Sequence, residues 1–191
     1  TGLEPLKVWI GTLLKNITIQ TLNVDLLNDD ECNELAQQIP SISGMLLRDS
    51  KVKNIIRRPF FAKVLTSLNA NGFEPESESE LIVEWWERGG FDATGQAIYN
   101  RQDLLKTISE IKSQNLSNGV KRRDIQPIDA LDSLVVDGIV RVNTKSSTID
   151  FTHDIFFEWA LLYVLLEEEK EWLSKIESFG QPPFIARVVE L

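Results

Sequence analysis

The sequence predicts a mainly α fold in two parts: a small helical bundle, then a winged-helix domain with a short β-hairpin. Three observations predict it. Apolar residues recur at helical spacing along most of the chain. Two short stretches, Ile139-Val-Arg-Val142 and Thr148-Ile-Asp-Phe151, alternate as strands around a polar turn from Asn143 to Ser147. The hairpin follows two helical stripes and precedes a third, which is winged-helix order.

The elements follow in chain order. Leu3, Leu6, Ile10, Leu13 and Leu14 fall at helical spacing. Ile17 to Val24 is rich in Ile and Thr and reads as a strand with no partner before Ser117. Asn28 to Glu31 has the form of a capping box, opening a helix through Gln38 that Pro40 ends. Ile42 to Arg48 and Lys51 to Arg58 are short helical stretches. Pro59 suits the first position of a further helix, whose face carries Phe60, Phe61, Val64, Leu65 and Leu68 and which Asn71-Gly72 stops. Ser77-x-x-Glu80 is a second capping signature, before a helix with Leu81, Ile82, Trp85 and Trp86 that Gly89-Gly90 ends.

The polar stretch from Asp92 to Gln96 divides the bundle, residues 28–96, from the winged helix, residues 97–173. In the second part Leu104, Leu105, Ile108 and Ile111 form one stripe, and Ser117 to Lys121 reads as a polar turn. Ile128, Leu131, Leu134 and Val135 form the next stripe, stopped at Gly138. After the hairpin, Ile155, Phe156, Trp159, Leu162, Tyr163 and Leu166 mark an amphipathic helix with Thr152 as its N-cap. Glu167 to Glu171 extends it as a solvated charged run, Pro182-Pro183 breaks the chain, and residues 174–191 begin a following helical region near Phe184.

Composition excludes several functions. The chain of 191 residues carries a formal charge of -9, which opposes broad binding to nucleic acid or to an anionic membrane surface. The run Trp159-Ala-Leu-Leu-Tyr-Val-Leu-Leu166 is too short to span a bilayer, so no membrane partner is expected. One cysteine, Cys32, excludes an internal disulfide and any Cys-rich metal site. Its neighbours Asp29, Asp30 and Glu31 make it a poor nucleophile, so a structural role is expected. A reducing, cytoplasmic compartment fits this usage. The opening Thr1-Gly2-Leu3, with no initiator Met, reads as a segment of a longer protein.

No GxxxxGK[ST], GxGxxG, GxSxG or HExxH motif occurs, and His153 is the single histidine. No catalytic residue or metal ligand is expected. The acidic runs around Glu76 to Glu80 and Glu167 to Glu169 imply no site geometry and read as solvated faces. Of the basic clusters Arg57-Arg58 and Lys121-Arg122-Arg123, the second precedes the helix that reads DNA in many winged helices. That helix presents Asp129, Asp132 and Asp137 and offers no Arg or Lys to a base edge. His153 lies at the mouth of the last winged-helix element, where free amides and the helix dipole receive an anion. It either donates to such an anion or satisfies a local carbonyl.

Phe151-Thr-His-Asp154, closing a hairpin and opening an aromatic helix, resembles the His-Asp signature of the winged helix in STAND NTPases, the NACHT and NB-ARC type switch ATPases. Ile56-Arg-Arg-Pro-Phe-Phe61 is similar to the hydrophobic proline element of their small helical domain. Val24-Asp-Leu-Leu-Asn-Asp-Asp-Glu31 resembles their entry into that domain. The resemblance covers about residues 17–166 and implies that 1–27 is the C-terminal remnant of a nucleotide-binding domain. It implies that Pro59 packs near adenine and that His153 contacts the β-phosphate of ADP, holding a closed state. The P-loop, the Walker B acid and the sensor arginine of the family are absent. The implied segment is therefore regulatory and not catalytic. ADP or ATP with Mg would bind the parent, whose P-loop domain and C-terminal sensor would be its partners and which would oligomerise on exchange. A DNA-binding winged-helix regulator is an alternative reading. So is a protein-interaction module that docks a partner on exposed Trp85-Trp86 or Trp172.

Overall fold

The computed structural model describes residues 26–47, 51–68, 73–114, 119–180 and 184–191. The expected helix at Leu3 to Leu14, the strand at Ile17 to Val24, the stop at Asn71-Gly72 and the break at Pro182-Pro183 lie outside them.

The molecule is mainly helical with a small three-stranded antiparallel sheet. Helix α1, Asp29–Gln38, opens on the anticipated capping box. The Asn28 side-chain oxygen accepts the Glu31 N–H at 2.9 Å, and the Glu31 carboxylate accepts the Asn28 N–H at 2.8 Å. Pro40 does more than stop this helix: it is the first residue of α2, Pro40–Leu47, where its missing N–H costs nothing. Helix α3 spans Lys51–Ile56, and α4 spans Pro59–Leu68 with Pro59 at its first position. Helix α5, Glu78–Glu87, makes only half a capping box. Ser77 caps the Glu80 N–H at 3.1 Å, while the Glu80 carboxylate reaches the Glu76 N–H instead, at 2.6 Å.

Helix α6, Gln96–Gln114, leads to strand β1, Val120–Lys121, and a short 3-10 turn, Arg122–Asp124. Then come α7, Ile128–Val136, and the hairpin of β2, Val140–Asn143, with β3, Thr148–Phe151. Helix α8 is Asp154–Glu167, followed by α9, Trp172–Ser178, and α10, Phe184–Glu190. The strand order is β1-β3-β2, with Val120 opposite Ile149 and Val140 opposite Phe151. This is winged-helix order with the hairpin as the wing.

One local reading changes. The stretch to Lys121 is not only a turn, because Val120 is buried and pairs with β3. A two-residue strand is too short for an alternating pattern to show. Helix α9 begins just after the charged run from Glu167 to Glu171, and Ile176 and Phe179 bury against the core.

One hydrophobic core runs from α1 to α10. Its centre is aromatic and crosses from the helical bundle to the winged helix. Phe61 stacks on Trp159 at 6.1 Å and 3°, and Trp85 stacks on Phe156 at 5.5 Å and 16°. Trp85 also meets Trp159 edge-on, and Trp86 stacks on Tyr163 at 4.0 Å. The dividing stretch leaves α5 through Gly89 and Gly90. Gly90 has φ +100, and a Cβ there would meet the Ile139 side chain and the Arg101 guanidinium. Arg101 is itself buried, paired with Asp137 and bonded to the Ser133 hydroxyl at 2.9 Å, and so pins α6 to α7.

Candidate functional site

The entrance of α8 is built by the end of the wing. The hydroxyl of Thr152 donates to Gly138 O at 2.6 Å, and its N–H donates to Ile139 O at 3.0 Å. These bonds tie the exit of β3 to the turn between α7 and β2, and they consume the side chain expected to cap α8. The N-cap is therefore His153, one residue later, in extended conformation and with no side-chain cap bond. His153 is exposed, and its ring makes no hydrogen bond within the described residues.

Its neighbours are aromatic. The imidazole meets Phe60 edge-on at 5.0 Å and lies 6.1 Å from Phe156. Phe60 is the second residue of α4 and also touches Phe61, Phe156 and Trp159. The chain position next to Pro59 thus lies against His153. Pro59 lines a shallow cleft of about 300 Å³ between α1 and α4, with Leu27, Leu35, Ile39 and Ala62.

Charged groups surround the same entrance. Asp154 occupies the first turn of α8, and Glu158 is buried one turn further on. Arg187 from α10 pairs with Glu158. Arg58 pairs with Glu78, at the start of α5, at 3.3 Å and lies over the Phe61 ring at 5.3 Å. Burial pushes the Glu158 carboxyl above its ordinary value, Arg187 opposes that rise, and the charges of Asp154 and Glu78 add to it. Glu158 thus lies among charges from α8, α5 and α10. An incoming anion would find its positive field in the helix amides.

Sequence reasoning missed this group of Glu78, Glu158 and Arg187. Its members come from three separate helices, and no local spacing connects them. The Arg57-Arg58 pair is also divided by the fold. Arg57 pairs with Asp29, whose carboxyl it holds below the usual range, while Arg58 turns to Glu78.

The other two readings meet specific geometry. On α7, Asp129 and Asp132 are exposed, and the basic cluster beside it is partly engaged by acids: Arg122 lies 3.8 Å from Asp132 and Arg123 lies 3.4 Å from Asp124. Trp85 and Trp86 are buried in the aromatic core, so they are not available as docking side chains, contrary to expectation. Trp172 is half-buried. Cys32 is buried with its Sγ 3.8 Å from Leu27 O. Among the described residues no group of three or more His, Cys, Asp or Glu is placed to hold a metal, and no helix is long and apolar enough to cross a membrane.

No protein-family model matches this chain, and neither the curated proteins nor the solved structures contain a match to it.

Proposed function

We propose that this chain is the helical and winged-helix segment of a STAND-type signalling or defence ATPase, a non-catalytic regulatory part whose winged helix closes over a nucleotide. The observation that carries the reading is the contact of His153 with Phe60. It draws together two of the three motifs on which the resemblance rests, from chain positions far apart. The imidazole there is exposed and makes no hydrogen bond within the described residues, so a ring N–H can donate to a phosphate oxygen.

The residues suit a nucleotide held mostly by another domain. ADP or ATP with Mg supplies the phosphates, and a P-loop domain of the parent binds them. This chain contributes the α8 amides, His153 and the edge of α4 at Pro59. A ligand biases a two-state equilibrium only through contacts that differ between the states. His153 sits on the winged helix and Pro59 on the bundle, so a nucleotide touching both favours the closed arrangement. Exchange of ADP for ATP swings the winged helix away and permits oligomerisation of the parent, with the P-loop domain and a C-terminal sensor as partners in a cytoplasmic protein. A DNA-binding role is less well supported, because α7 presents Asp129 and Asp132 to solvent.

The test is ADP titration of the full-length protein, wild type against His153→Ala. Affinity is expected to fall about tenfold, within the usual range of site coupling. Equal affinity, with unchanged activation, rejects the reading.

A further inference from the structure

At the far end of α8 from His153, the chain leaves an apolar cleft of about 360 Å³ open between α8, α9 and α10. Leu162 and Leu166 form one wall, Trp172 a second, and Val188 with Val189 a third. Leu166 is 60% exposed and Val189 54% exposed, large fractions for aliphatic side chains that meet in one concavity. Glu169 also lines the cleft, at φ +44 in the turn between α8 and α9. Glu171 and Glu190 are exposed beside Trp172 and Val189. Glu169, Glu171 and Glu190 form no ion pair within the described residues, whereas Glu167 is engaged by Lys106 and Glu168 by Lys175. Lys170 is the one basic residue in the run from Glu167 to Glu171.

We propose that this cleft is the docking site for an amphipathic helix of a partner protein that carries Lys or Arg beside its apolar anchors. The floor accepts aliphatic anchors spaced by a helical turn, the usual way a groove reads a helix. The rim supplies uncompensated carboxylates, so a basic flank gains attraction while an acidic one is repelled. An anionic lipid surface is repelled by the same charges. The site is independent of the nucleotide reading and lies at the opposite end of α8.

The test uses the 191-residue chain and two fluorescent helical peptides with the same leucine pattern, one with Lys and one with Glu at every flanking position, followed by anisotropy. The Lys peptide is expected to bind saturably, to weaken as salt rises, and to bind about tenfold more tightly than the Glu peptide. Leu166→Asp removes an exposed apolar wall and Glu169→Lys reverses a rim charge without touching the core. Each is expected to weaken the Lys peptide about tenfold with the circular dichroism unchanged. The proposal is overturned if the wild-type chain shows no saturable binding, if the two peptides bind equally, or if both folded variants bind as the wild type does. Self-association of the chain through this face, read as a concentration-dependent mass that Leu166→Asp abolishes, also overturns it.

Discussion

His153 stands edge-on to Phe60, with ring centroids 5.0 Å apart and planes at 66°. His153 is the N-cap residue of α8 and Phe60 the second residue of α4, so this contact joins the winged helix to the bundle at the solvent surface. The two residues are expected to couple by about 0.5 kcal/mol, the low end for an aromatic pair because His153 is exposed. Urea unfolding of wild type, Phe60→Ala, His153→Ala and the double variant measures the coupling. Strict additivity would show that the contact contributes nothing.

Arg101 and Asp137 test the joint between α6 and α7. Asp137→Ala leaves a buried guanidinium with only the Ser133 hydroxyl as its side-chain partner, at a cost of about 3 kcal/mol. Replacing both, as Arg101→Met with Asp137→Leu, is expected to recover most of that loss. Chemical denaturation of the three proteins decides it. A single variant as stable as the wild type would show that the pair is solvated.

Gly90 tests the exit from α5. Its φ of +100 and the closeness of Ile139 both oppose a side chain. Gly90→Ala is expected to destabilise the protein by about 1–3 kcal/mol, mostly through backbone strain. Thermal unfolding checks this, and an unchanged midpoint would show that the turn relaxes freely.

Tyr163 gives the pH dependence. Burial, aided by the charge of Glu87, pushes its hydroxyl from an ordinary 10.0 up to about 12. The folded state therefore holds the proton more tightly than the unfolded chain does. The stability linked to Tyr163 is fully present below the unfolded value and is lost as pH rises through the folded one. The chain has two tyrosines, so Tyr99→Phe leaves Tyr163 as the only phenol. Its ultraviolet titration is expected to have a midpoint near 12. A midpoint at 10.0 would mean that Tyr163 is solvated.

Much of this architecture is legible locally. The capping oxygen of Asn28, the ring of Pro59 and the left-handed turn at Gly138, with φ +68, act within one helical turn of their own position. The hairpin is equally local, since alternation from Val140 to Phe151 needs only its own turn. The N-cap of α8 is not local. Thr152 loses that role because its hydroxyl bonds Gly138 and Ile139, thirteen or fourteen residues earlier. Likewise Val120 becomes a strand only because Ile149 is there to pair with it.

The sequence by itself determined the helix-rich class, the order of the wing and the aromatic content of α4, α5 and α8, because periodicity and caps are properties of neighbouring residues. Only the tertiary structure decided where those aromatic faces go. Trp85 and Trp86 read as exposed anchors in one dimension, and they bury because Phe156, Trp159 and Tyr163 of α8 present a matching surface. The same packing seats Phe60 against His153 and brings Glu78 and Arg187 to the buried Glu158. Apolar burial is non-directional and acts between segments of any separation, so its outcome depends on the whole chain.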